Sequence, residues 1–219
     1  MSVAAAVFDM DGIIFDTERL AFEAFARASH EAGREASREA FIASIGLPRG
    51  SIPAKLTEVL GPDFPAMEVI DRSYDLLEEA VARDGPPLKP GIVDALDALA
   101  ARDIPAAVAT STDTGVARDY LASTDLLGRF VAVVGGDLVE RGKPAPDIFL
   151  RSATALGVDA AGTIVFEDSP SGVRAAAAAG MRVVMVPDFI APDDALRPLI
   201  FAVLSSLHDA AQRVEELLR

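Results

Sequence analysis

The chain of 219 residues contains no cysteine and no tryptophan, and only two histidines, His30 and His208. Without cysteine there can be no thiol nucleophile, disulfide or thiolate-bound metal, and a reducing compartment suits the chain. Two isolated histidines exclude a histidine cluster for zinc or acid–base chemistry, and both are expected on exposed helical faces without a role. Cations are also scarce: 20 Lys and Arg against 34 Asp and Glu give a net charge of −14. Such a surface repels nucleic acid and anionic membranes, and a phosphorylated metabolite too unless cations gather locally. No apolar run reaches the ~18 residues of a membrane span, since Arg182 interrupts AAAAAGMRVVMV. The opening MSVAAAVFDMDG has no basic segment and is cut by Asp9. No signal peptide is expected, and the cytoplasm is the default location.

What is present is a globular composition, 51% apolar and 25% charged, long enough for a core domain plus a smaller insertion. Short apolar runs predict strands at 3–8, 104–110, 131–134, 162–167 and 182–186, with a weak sixth at 201–203. Helical patterns lie between them at 92–101, 114–124, 146–156 and 171–179, the last closed by Gly180. Continuous apolar strands alternating with helices predict an α/β, doubly wound, mostly parallel sheet covered on both faces. From about Asp16 to Arg83 the patterns are helical only, broken near GLPRGS and GPDFP and ending in DGPPLKPG. Residues 1–15 and 88–219 are therefore expected to form the core domain, and 16–87 a helical insertion.

Ligands of open parallel sheets bind beyond the carboxyl ends of the strands. Those ends carry Asp9 and Asp11 after the first strand, Thr110 and Ser111 after the second, and Glu167 and Asp168 after the fourth. The loop after the third holds Lys143, within RGKPAPD. Carboxylates converging at a core edge need a cation, and hard Mg2+ takes oxygen ligands readily. A carboxylate at such a site can attack phosphorus, and the neighbouring Asp11 can protonate the leaving oxygen and later deprotonate water. Thr110 and Ser111 offer donors to phosphoryl oxygens, or cap the following helix, roles that are compatible. Lys143 supplies a point charge against the carboxylates and the transition state. A calcium loop also begins D-x-D, but it needs an acidic or amide fifth residue and a glycine sixth, where Ile13 and Ile14 stand.

DMDG at Asp9, ATST at Ala109, GKPAPD around Lys143 and FEDSPSG at Phe166 occur in the order seen in the haloacid dehalogenase superfamily, which the chain resembles over nearly its whole length. The resemblance implies a Rossmann-like core with an inserted helical cap, in the branch of β-phosphoglucomutases and phosphoglycolate phosphatases. It implies Asp9 as nucleophile and Asp11 as general acid/base. Asp9, the Asp11 backbone carbonyl and Asp168 would be Mg2+ ligands, and Glu167 a further or alternative one. Dehalogenating members lack the second aspartate, so phosphoryl transfer is implied. In the insertion, Arg49 matches a place where relatives often carry a substrate-contacting arginine, although a solvated turn arginine reads equally well. For Arg72 a helix-face salt bridge is the better reading.

The leading expectation is a Mg2+-dependent, monomeric phosphatase acting on a small phosphorylated metabolite, a sugar phosphate or phosphoglycolate-like acid, through an aspartyl phosphate. The alternative is a β-phosphoglucomutase-like mutase. Those enzymes carry a histidine just after the first motif, where this chain has Leu20 and Ala21. A catalytically silent binding protein is the third reading. It would be expected to lack a motif residue, and none is missing.

Overall fold

Four residues, Ala5–Phe8, make the central strand β1, and all four are buried. A strand inaccessible from both sides needs cover on both faces, and its apolar run reflects that. The computed structural model describes residues 3–45, 47 and 49–219. Gly46 and Pro48 of the GLPRGS break lie outside the described residues, as do Met1 and Ser2. After β1 the chain runs through helices α1 (Thr17–Glu31), α2 (Arg38–Ser44), α3 (Ile52–Leu60), α4 (Ala66–Asp84) and α5 (Ile92–Ala100). Strand and helix then alternate: β2 (Ala106–Ala109), α6 (Thr114–Ser123), β3 (Ala132–Val134), α7 (Asp147–Leu156), β4 (Thr163–Glu167) and α8 (Pro170–Ala178). The chain closes with β5 (Arg182–Met185), β6 (Ala202–Val203), α9 (Leu207–Gln212) and α10 (Val214–Leu217).

The six strands form one sheet in the order β3-β2-β1-β4-β5-β6, and every pairing is parallel. Register places Phe8 beside Val108 on one side and Phe166 on the other. The rings of Phe8 and Phe166 stack at 4.7 Å between centroids, with Phe130 edge-on to Phe8 at 6.1 Å. These residues share one core with Leu96, Leu121 and Leu207. Their neighbours in sequence, Val7, Ala107 and Val165, face a second core with Ile148, Phe149 and Val173. Successive β side chains alternate between faces, so each of β1 to β5 feeds both cores.

The strands are shorter than the apolar runs predicted. Pro105 has no N–H for the ladder, and Ile104 donates to the Leu99 carbonyl to close the turn after α5, so β2 starts at Ala106. Val3 donates to Leu218, away from the sheet, and Gly162 belongs to a 3-10 turn. Helix α8 begins a residue before the predicted start, because the Ser169 hydroxyl accepts from Gly172 N at 3.1 Å and Pro170 suits the first helical position. Gly180 (φ +76°) lies one step beyond the cap residue Ala179, where left-handed backbone closes the helix.

Two compact units emerge: residues up to Asp16 with Pro87–Arg219, and Thr17–Pro86. Within the first, the outgoing and returning segments cross as an antiparallel bridge between Phe15 and Leu88. Asp16 N donates to Pro87 O and Lys89 N to Ile14 O, each at 2.8 Å. The Lys89 ammonium fastens this crossing to Asp16 (3.0 Å) and Asp188 (2.6 Å). The second unit holds four α helices and, among its described residues, no strand. Its core is Phe25 and Ala28 of α1, Leu56 of α3, and Val69, Ile70 and Leu76 of α4. Among the described residues no helix is long and apolar enough to cross a membrane.

Candidate active site

The sheet order reverses direction at β1, which is followed by β2 on one side and β4 on the other. At such a switch point the loops part and leave a crevice beyond the carboxyl ends. Asp9 stands there, its N–H donating to Phe166 O at 2.9 Å. The chain then folds back: Met10 O accepts from Ile14 N (2.8 Å) and Phe15 N (3.0 Å), and Gly12 takes φ +81°. Gly12 is needed twice over. Its backbone is left-handed, and a Cβ would collide with the Asp168 carboxylate, so the β1 and β4 loops close on one another there.

From β4 come Glu167, wholly buried, and Asp168, 4% exposed. The loop after β3 places Lys143 between Glu167 and Asp9. Its ammonium lies 2.5 Å from Asp9 Oδ1 and 2.6 Å from Glu167 Oε1. Arg141 steadies this loop by pairing with Asp147 at the start of α7 through two bonds, at 3.1 and 2.9 Å. Both oxygens of Glu167 are engaged, since Oε2 accepts from Ser169 N (2.7 Å) and Ser169 Oγ (3.0 Å). Gly172 leaves room for this carboxylate, because a Cβ at that position would occupy its place.

Burial pushes the Asp9 carboxyl up to about 8; Lys143 pulls against the rise, while the charges of Glu167 and Asp11 add to it. Burial on its own would lower Lys143, but Asp9 and Glu167 outweigh it and hold the ammonium above the ordinary lysine range. Three acids around one cation leave negative charge unbalanced in a dry site. Asp9, Glu167 and Asp168 each offer an oxygen within 4.8 Å of the others. A donor set made only of carboxylate oxygens matches a hard divalent cation.

Beyond β2, Thr110 is buried and its Oγ1 accepts from Thr112 N at 3.1 Å, while Ser111 is exposed. Neither caps the next helix, contrary to one of the expected roles. Asp113 does, accepting from Gly115 N at 2.8 Å, because it is the residue directly before α6. Thr112, to which the sequence reading gave no role, donates from Oγ1 to Asp11 Oδ2 at 3.1 Å. Asp9, Asp11, Thr112, Lys143, Glu167 and Asp168 thus form one linked group on three strand ends and a loop. Arg49 belongs to the helical unit, where it pairs with Asp71 (3.1 Å) and lies 3.9 Å over the Tyr74 ring. Arg72 bonds Glu31 (2.8 Å) and Glu79 (3.3 Å), the salt-bridge role expected of it. His30 and His208 are exposed on helices, His208 at 2.8 Å from Asp94.

Residues 6–186 match the profile of the haloacid dehalogenase-like hydrolases, and the chain belongs to that family. It is 34% identical to the phosphorylated carbohydrates phosphatase of Thermotoga maritima over 81% of this chain and 82% of that protein. Its identity to the fructose-1-phosphate phosphatase YqaB of Escherichia coli is 36%, over 84% of this chain and 96% of the relative. Among solved structures, a putative β-phosphoglucomutase from Thermotoga maritima superposes with a TM-score of 0.78 at 30% identity, covering 99% of this chain and all of that one.

Proposed function

We propose that the chain is a Mg2+-dependent phosphatase of small phosphorylated metabolites, sugar phosphates first among them, working through an aspartyl phosphate on Asp9. It is a phosphoric monoester hydrolase. The observation that carries this reading is the buried carboxylate cluster bridged by Lys143, with a second aspartate, Asp11, two positions beyond Asp9. The named activities of two relatives, on phosphorylated carbohydrates and on fructose 1-phosphate, support the substrate class.

Asp9 and Asp168, with the Asp11 backbone carbonyl, are the residues that would hold Mg2+. Glu167, with both oxygens engaged, orients Lys143. A divalent cation there would favour ionised Asp9 and draw charge from the phosphoryl oxygens. In the first half-reaction an Asp9 oxygen bonds to phosphorus, the bond to the leaving oxygen breaks, and Asp11 gives that oxygen its proton. In the second, water gives a proton to Asp11 and its oxygen bonds to phosphorus, freeing Asp9 and inorganic phosphate. Lys143, already ionised and aimed at Asp9, stays in place through both halves and opposes the charge gathering on the phosphoryl group. The Thr110 hydroxyl, its oxygen occupied by Thr112 N–H, keeps its own proton for a phosphoryl oxygen.

A second reading, a phosphosugar mutase, is favoured by the structural likeness to the putative β-phosphoglucomutase. The experiment is phosphate release from phosphoglycolate, hexose and pentose phosphates, glycerol phosphate and nucleotides, with Mg2+ and with chelator. Mg2+-dependent release concentrated on one class is the expected result. No release, with conversion of β-glucose 1-phosphate to the 6-phosphate, would replace the phosphatase by the mutase.

A further inference from the structure

We infer that Thr112 is a positioning residue for proton transfer, fixing the Asp11 carboxylate for the leaving-group oxygen. The inference rests on the phosphatase reading above and deepens it. Thr112 is held on three sides: its N–H donates to Thr110 Oγ1 (3.1 Å), its carbonyl accepts from Gly136 N (3.0 Å), and its hydroxyl donates to Asp11 Oδ2 (3.1 Å). A β-branched side chain has few χ1 choices, so fixing the backbone fixes the hydroxyl. Asp11 is only half-buried and stands at the start of a tight turn, and this bond ties its carboxylate to the loop after β2 across 101 positions of sequence. Geometry of this kind governs how well a general acid works, because the proton must already point at the departing oxygen.

The step is balanced by what the site and substrate supply. As the phosphorus–oxygen bond breaks, its electron pair goes to the leaving oxygen, which takes the Asp11 proton and departs as an alcohol. Asp11 is then a carboxylate, still accepting from Thr112, and recovers a proton from the water that attacks the phosphoenzyme. An alkyl phosphate depends on this proton because an alkoxide is a poor leaving group. An aryl phosphate such as p-nitrophenyl phosphate leaves as a stable phenolate and depends on it little.

The test compares wild type, Thr112→Val and Thr112→Ser with Mg2+. The two substrates are p-nitrophenyl phosphate and whichever of fructose 1-phosphate, glycerol phosphate and phosphoglycolate the wild type turns over fastest. General acid catalysis is worth roughly 10²–10⁴-fold, and misplacing the acid forfeits part of it. Thr112→Val is expected to lose at least about tenfold in kcat/KM on the alkyl ester and under about threefold on the aryl ester, because kcat/KM reports the first half-reaction, in which the leaving group departs, and not the phosphoenzyme hydrolysis common to both. Thr112→Ser, which keeps the donor, is expected to recover most of the alkyl-ester rate. Equal losses on both esters would overturn the inference, since a structural or phosphoryl-binding role does not sense the leaving group, and so would no loss on either. A folded wild type that hydrolyses none of the four esters would overturn the phosphatase reading itself, and with it the role given to Asp11.

Discussion

Replacing Lys143 by alanine strands Asp9 and Glu167 as neighbours in a site that water scarcely reaches, their side chains 11% and 0% exposed. Breaking a buried pair typically costs about 3–5 kcal/mol. We expect Lys143→Ala to lower the unfolding free energy in urea by roughly 3 kcal/mol without Mg2+, some relief coming from protonation of Asp9. The opposite sign is expected in the helical unit. Ser29 is fully buried on α1, and its hydroxyl has no hydrogen-bond partner. An unsatisfied buried hydroxyl is a liability of about 1–3 kcal/mol, so Ser29→Ala should stabilise the protein by about 1 kcal/mol in the same titration. Individual residues were unevenly legible. Asp9 and Asp11 stand out because two charges end an apolar strand, whereas Lys143, by itself an ordinary loop lysine, stands out only beside the other motifs. Ser29 looks like any other small helical residue until its neighbours are known.

At the level of elements, the start of α8 is built around a carboxylate. Ser169 caps the helix and at the same time donates to Glu167, and Gly172 makes room for that side chain. Gly172→Ala would improve helix propensity yet force a methyl group into Glu167. We expect the packing penalty to win, with a loss of about 3 kcal/mol in urea unfolding and a lower yield of folded protein. The same element shows why some of the architecture was readable and some was not. Strands buried on both faces announce themselves as apolar runs, and five were placed to within two residues at either end. The cap of α6 was not, because Thr110, Ser111, Thr112, Asp113 and Thr114 are all capping types. A distant contact settles that choice: Asp137 Oδ1 accepts from Thr114 N (2.7 Å) and Thr114 Oγ1 (2.6 Å), bonds that hold its carboxyl below the usual range. The bond from Thr112 to Asp11 is equally remote in sequence, which is why its role emerged only from the fold.

For the molecule as a whole, a net charge of −14 and a buried acid cluster point the same way: the folded chain holds more carboxylate than its own cations balance at the sheet's switch point. A divalent ion that binds only the folded state stabilises it by mass action, about 2.7 kcal/mol at a hundred times its dissociation constant. The melting temperature should therefore rise by several degrees with Mg2+ in wild type, at roughly 2–4 °C per kcal/mol for this size. Asp168→Asn should abolish most of that rise, and an unchanged response would remove Asp168 from the ligand set. The central claim is that Asp9 forms the bond to phosphorus, and phosphate release by Asp9→Asn beside wild type tests it most directly. On the best substrate with saturating Mg2+, with folding confirmed by circular dichroism, the account predicts at least about a 10³-fold loss of kcat. A variant that keeps near wild-type turnover would contradict it.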